Sequence, residues 1–172
     1  MGAGLATPGA LAAAGLRLRR LVAADRPALE ALYRLQRWDE FAPLGWPDAA
    51  RAGFIDSQYD FQDRNYRSAF PGAEFYAIDR DGEVVGRIYL DRGTEALHLL
   101  EISLHPDWRG RGLGRALLIQ LQAEVRAGAC LRLSVAEGNP ARRLYERLGF
   151  VDSEPPDEFP QASRDMVWRP VS

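Results

Sequence analysis

Between Leu16 and Leu21 apolar residues alternate with Arg17, Arg19 and Arg20, which predicts a short half-buried strand. Asp25 followed by Pro27 marks a helix start, and Leu29, Leu32, Tyr33 and Leu35 keep helical spacing to about Trp38. A loop holding Pro43, Gly45 and Pro47 leads into a second helical stretch from Asp48 to Phe70, which Pro71 and Gly72 stop. The period then becomes two: a strand from Glu74 to Asp79, a turn over Asp79 to Gly82, and a partner strand from Glu83 to Asp91. A further strand runs from Ala96 to Leu104 and ends at His105-Pro106. A glycine-rich turn, Arg109 to Gly114, opens a helix from Leu113 to Ala127. A strand from Cys130 to Ala136 and a helix from Ala141 to Leu148, closed by Gly149, follow. Two short strands, Phe150 to Asp152 and Asp165 to Arg169, flank a proline-rich acidic loop from Ser153 to Arg164.

The order β-α-α-β-β-β-α-β-α-β-β contains no repeat and no internal linker. It predicts one α/β domain over residues 16–172, a mixed sheet covered by helices. A chain of 172 residues suits a single domain with its own core. Residues 1–15, rich in Ala and Gly, are expected to form a flexible N-terminal extension. Positive charge follows rather than precedes their apolar part, the wrong polarity for a secretion signal. No apolar run approaches the roughly 18–20 residues of a membrane span. The expected location is cytoplasmic, away from membranes.

Composition removes several chemistries. All 22 basic residues are arginine. Without lysine there is no Schiff base, no pyridoxal-phosphate attachment and no Walker-type P-loop. One cysteine, Cys130, forms no internal disulfide, and two histidines without paired cysteines give no expectation of a metal site. A net charge of −2 argues against a nucleic-acid partner, which would call for a cationic surplus.

The segment Arg109-Gly110-Arg111-Gly112-Leu113-Gly114-Arg115 follows a strand and begins a helix. Glycines permit positive φ and close approach of a ligand. The first helical amides lack internal partners and sit at the positive pole, where they receive phosphate. Arg109, Arg111 and Arg115 add donors suited to phosphate. The dinucleotide spacing G-x-G-x-x-G fails, because Arg115 stands where its last glycine belongs.

Arg109-x-x-Gly112-x-Gly114 after Leu104-His105-Pro106 resembles the acetyl-CoA loop of the GNAT superfamily of N-acetyltransferases. The block from Asn139 to Phe150 (NPARRLYERLGF) resembles that family's downstream motif. The resemblance extends from Leu16 to Arg169. It implies the GNAT fold: a central, mostly antiparallel sheet with a splayed parallel strand pair, flanked by helices. Acetyl-CoA (coenzyme A) would be the co-substrate, with no metal. Ile102 and Leu104 would pair with its pantetheine arm, and Gly110, Arg111, Gly112, Leu113, Gly114 and Arg115, preceded by Arg109, would hold its pyrophosphate. Asn139 would bind the arm near its amides; before Pro140 it also fits a helix N-cap. Tyr145 would protonate the departing thiolate, and also fits an aromatic packed beside Leu144 and Leu148. For the general base, His98 and Glu101 both lie on the cleft strand, and the choice among these two and water relayed from the backbone stays open. On a regular strand the two would occupy opposite faces, but relatives often bulge here, and a bulge would re-aim the later residues. Cys130 is expected to pack rather than to carry an acyl group.

The implied reaction is direct transfer of acetyl from acetyl-CoA to a primary amine of a small molecule or peptide in a ternary complex. A peptide N-terminal acetyltransferase and a non-catalytic acyl-CoA sensor are the alternatives. The fold makes a homodimer plausible. Trp38, Phe41, Trp46, Phe54, Tyr59, Phe61, Tyr66 and Phe70 gather in the segments expected to shape the acceptor pocket. Glu40, Asp56, Asp60, Asp63 and the run from Asp152 to Glu158 would either attract a cationic amine or form a solvated face.

Overall fold

A computed structural model describes residues 4–153 and 162–170. Helix α1 spans Gly9–Ala13, and strand β1 Arg17–Arg20. Helices α2 (Arg26–Arg37) and α3 (Asp48–Ala69) precede an antiparallel run of β2 (Glu74–Arg80), β3 (Glu83–Arg92) and β4 (Ala96–Leu104). Helix α4 (Leu113–Glu124), strand β5 (Cys130–Ala136), helix α5 (Arg142–Arg147) and strands β6 (Val151–Asp152) and β7 (Ser163–Trp168) complete the order. Among the described residues the strands form one seven-stranded sheet in the order β1-β2-β3-β4-β5-β7-β6. Only β4 and β5 pair in parallel, so the sheet is mixed and mostly antiparallel, as expected. The last strand inserts between β5 and β6, an arrangement the linear pattern does not specify.

The two faces carry separate apolar layers. One is the main core, in which Ile78, Ile88, Leu90, Leu97, Leu99 and Leu131 meet Leu117, Leu118 and Leu121 of α4 and Tyr145 of α5. On the other, Leu29 and Tyr33 of α2 pack with Ile55 and Tyr59 of α3. Gly86 sits on β3 opposite Leu104 of β4. A Cβ there would stand 2.5 Å from the Ser103 carbonyl oxygen, so no larger residue fits without moving a strand.

The N-terminal segment corrects the expected flexible extension. Leu11 is fully buried and Leu5 nearly so, both in the main core with Leu16. The Leu5 amide donates to the Tyr76 hydroxyl at 2.8 Å, and the Leu18 amide to Thr7 Oγ1 at 2.9 Å. Two leucines spaced across a small-residue stretch suffice to hold it on the sheet. The acidic residues Glu154, Asp157 and Glu158 lie outside the described residues.

Candidate active site

β4 and β5 pair from Ala96↔Cys130 to Leu99↔Leu133, and there the pairing stops. β4 continues to Leu104, and β5 continues to Ala136 along β7, so a gap opens between them. On the β3 side, the His105 amide donates to the Val85 carbonyl at 2.7 Å, in register with Gly86↔Leu104 and Ile88↔Ile102. Antiparallel strands alternate the residues whose main-chain groups point at the partner. Ile102 and Leu104 therefore direct their N–H and C=O groups away from β3, into the gap. The Leu104 carbonyl accordingly accepts Arg109 Nε at 3.0 Å and Gln36 Nε2 at 3.3 Å.

Beyond β4 a 3-10 turn, Pro106–Trp108, leads to Gly110 (φ 70°) and Gly112 (φ 76°), with Gly112 capping α4 in the left-handed region. The first intrahelical bond joins the Ala116 amide to the Gly112 carbonyl at 3.0 Å. The amides of Leu113, Gly114 and Arg115 thus have no helical acceptor. The three arginines separate in role. Arg109 turns back to Leu104, and Arg111 stacks on Trp108 at 4.8 Å from its ring centroid. Arg115, exposed in the first turn, pairs with no carboxylate among the described residues.

Across the gap, Asn139 Oδ1 accepts the Ala141 amide at 2.9 Å and turns the chain into α5, leaving its NH2 group exposed. Tyr145 is 7% exposed and packs edge-on against Phe150, ring centroids 5.9 Å apart. Burial first, and the Glu101 carboxylate second, push its phenol up to about 12. At neutral pH it keeps its proton.

β4 bulges at Leu100: Tyr89 faces Glu101, while Leu90 faces Leu99. The extra residue resets the alternation. Ile102 and Leu104 join Leu97 and Leu99 toward the main core, and Glu101 comes to the face carrying Arg87 and Tyr89. His98 lies before the bulge, opposite Asp91 and Arg132 in the fully paired part of the ladder. Glu101 lies beyond the last β4–β5 pair, with its carboxylate 3.6 Å from the Arg87 guanidinium and 3.3 Å from the Tyr66 hydroxyl. Arg87 is 3% exposed. It donates to Gln62 at 2.9 Å and lies 5.2–5.6 Å from the ring centroids of Tyr33, Tyr59 and Tyr89. Sequence reasoning assigned Arg87 no role and treated Tyr66 only as one aromatic among eight. The signal was a lone arginine in the apolar run from Val84 to Leu90, one strand away from a lone glutamate in an equally apolar run.

The aromatic segment divides. Phe41, Trp46 and Phe54 pack on one another at 5.1–6.5 Å, Phe61 is exposed, and Tyr59 and Tyr66 face the sheet. Four of the acids before β2 are paired: Asp56 with Arg34, Asp60 with Arg26, Asp63 with Arg67 and Glu40 with Arg37. They make a neutralised surface rather than a free anionic funnel. A cleft of about 460 Å³ lies against Arg20, Arg26, Tyr59, Asp63, Arg67 and Phe75, and shares no residue with the gap. Cys130 is buried, its thiol 3.7 Å from the Glu95 carbonyl. Among the described residues no acid, histidine or cysteine cluster suits a metal ion, and no helix is long and apolar enough to cross a membrane.

The sequence pattern of the acetyltransferase (GNAT) family matches residues 25–150. The chain belongs to that family. Curated relatives include mycothiol acetyltransferases of Streptomyces coelicolor, 34% identical over 106 residues, and Streptomyces avermitilis, 33% identical over the same length. The matched stretch is 57% of this chain and 33% of each relative, so this GNAT chain spans about a third of their length. Solved structures share the GNAT fold. An acetyltransferase from Thermus thermophilus superimposes with a TM-score of 0.63 at 24% identity, covering 91% of this chain and 97% of that one. The PaiA N-acetyltransferase of Thermoplasma acidophilum, solved with coenzyme A, gives 0.58 at 19% identity over 88% and 97%.

Proposed function

We propose that this GNAT domain transfers an acetyl group from acetyl-CoA to a primary amine of a small molecule or peptide, by direct attack within a ternary complex. The observation that carries the reading is the gap beyond Leu99 and Leu133, where Ile102 and Leu104 offer main-chain groups without a strand partner. An extended amide chain of the pantetheine kind fits such an edge, as an added strand does. At its end the left-handed Gly112 and the open amides of Leu113, Gly114 and Arg115, with the Arg115 charge, fit a diphosphate. The exposed NH2 group of Asn139 fits an acceptor on the arm.

Acetyl-CoA supplies the activated acyl group. Glu101 takes the proton from the acceptor ammonium, so that the amine nitrogen can bond to the carbonyl carbon as the carbon–sulfur bond breaks. Tyr145 delivers its proton to the departing sulfur, and the surplus proton of the new amide nitrogen returns to the phenolate; a buried phenol that stays protonated at neutral pH suits that task. We favour Glu101 over His98 because it stands past the end of the β4–β5 ladder, whereas His98 lies within it.

The test is thiol release from acetyl-CoA against amino acids, polyamines, aminoglycosides, short peptides and the amine acceptor of the mycothiol acetyltransferases. Tyr145→Phe is expected to lower kcat by about 10²-fold or more with little change in coenzyme A affinity. Coenzyme A binding without acetylation of any amine would make the domain a sensor instead. Absence of binding would refute the reading altogether.

A further inference from the structure

The Leu100 carbonyl is the acceptor left over by the bulge, and it does not go unpaired. The Tyr66 hydroxyl, from α3, donates to it at 2.9 Å, and the same oxygen stands 3.3 Å from Glu101 Oε2. On the sheet side, the Arg87 guanidinium stands 3.6 Å from the other carboxylate oxygen. One side chain therefore touches both the backbone irregularity and the acid it re-aims, and a second holds that acid from behind. We propose that Tyr66 and Arg87 are positioning residues: the Tyr66 phenol pins the bulge that turns Glu101 to the open end of β4, and the Arg87 guanidinium anchors the carboxylate there. This rests on the reading of Glu101 as the base.

The chemistry of the cluster is one-sided. Burial first, and the Glu101 charge second, hold the Tyr66 phenol far above its ordinary range, so it remains a donor. Burial opposes the charge on Arg87, but the Glu101 carboxylate together with the Tyr89 and Tyr59 hydroxyls outweighs it and keeps the guanidinium cationic. Tyr89 from β3, Tyr59 from α3 and Tyr145 from α5 are raised as well, burial being the largest cause for each. Tyr33 of α2 and Asp63 of α3, the latter held by Arg67, lie on the same face as Glu101, as do His98 and Asp91 in the paired part of the ladder and Arg26 over the Tyr59 ring. The raised phenols keep their protons at physiological pH, so they do not take the proton of the acceptor ammonium, and that task falls to the carboxylate that Tyr66 and Arg87 hold. The alternative is that both residues merely fill space beneath α3. Phenylalanine would then replace Tyr66 without consequence, because the edge-on contact with Tyr89 at 5.8 Å needs only the ring.

Two measurements on the full chain decide between them. In the first, the amine that wild type acetylates fastest is assayed with Tyr66→Phe, Arg87→Gln, Arg87→Lys and Glu101→Gln. Tyr66→Phe is expected to lower kcat by roughly 10-fold or more, with the KM for acetyl-CoA within about twofold of wild type. The second needs no acceptor. The carboxyl carbons of 13C-labelled glutamates are followed by NMR at neutral pH, with the Glu101 signal assigned by its loss in Glu101→Gln. In Tyr66→Phe and Arg87→Gln that signal is expected to change its chemical shift and broaden, because the carboxylate has lost a group that fixes its place. Arg87→Lys should restore most of the difference. If Arg87→Gln does not fold, Tyr66→Phe alone decides. An unmoved Glu101 signal in folded variants overturns the proposal, whether or not activity falls. Retained turnover in Glu101→Gln would refute the base assignment, and the NMR arm would still report on the positioning.

Discussion

Gly112 and Gly114 stand two positions apart in the same turn, yet the structure asks different things of them. Gly112 holds φ at 76°, where an L side chain is strained, while Gly114 sits inside the first turn of α4 with open space ahead of it. A Cβ at Gly114 would meet only Leu144 Cδ2, at 3.8 Å, an ordinary contact. Gly114→Ala is therefore expected to stabilise the free protein by up to about 1 kcal/mol through helix propensity. Gly112→Val should cost about 1–2 kcal/mol and weaken coenzyme A binding, since it distorts the amides it leads into. Thermal denaturation and calorimetry on the two variants check this, and the reverse order of stabilities would contradict it. A similar contrast holds among the acids. Asp79 is fully buried; burial opposes its charge, but hydrogen bonds from Arg19 at 2.9 Å and Arg17 at 2.9 Å, with the Gly82 amide, outweigh that and hold it below the usual aspartate range. Asp25 is lowered too, chiefly by its two bonds to Arg19. Carboxylates depressed in the folded state contribute stability above their unfolded value and lose it as pH falls through the folded one. Stability should hold from neutrality down to about pH 4, and decline below it. Asp79→Asn should flatten that acid limb, as urea denaturation over a pH series would show.

At the scale of elements, the order of strands and helices was readable because each is marked locally. Pro71-Gly72 ends α3, the Asp81-Gly82 turn joins β2 to β3, and the Arg109 to Gly114 turn separates β4 from α4. The bulge at Leu100 carries no such mark. It arises from the register between β3 and β4, which a single strand does not encode, and it decides on which face Glu101 lies. The same dependence kept Tyr66 and Arg87 out of the sequence-derived site: they lie on α3 and β3, and only the packing of α3 across the sheet brings them to Glu101. Helix α1 was hidden for another reason. The alanines and glycines around it read as a flexible extension, because the two leucines that bind the segment to the core, Leu5 and Leu11, are too few to set a period.

For the whole molecule, the N-terminal segment that carries Leu5 and α1 adds to the stability of the fold. Burying two leucines contributes roughly 3–6 kcal/mol, before the cost of ordering the segment is set against it. Deleting residues 1–15 should therefore lower the melting temperature by several degrees, since a chain of this size loses about 2–4 °C per kcal/mol. An unchanged melting temperature would show that the segment contributes nothing to the core. The gap beyond Leu99 also has a dynamic signature. Along one strand, Ser103 turns its amide to β3, while Ile102 and Leu104 turn theirs to an opening. Deuterium should therefore enter β4 in alternation, slowly at Ser103 and quickly at its two neighbours, a contrast unusual for adjacent residues deep in a sheet. Coenzyme A should erase that contrast by slowing exchange at Ile102 and Leu104, so that isotope uptake reads the occupancy of the cleft with no acceptor amine in hand.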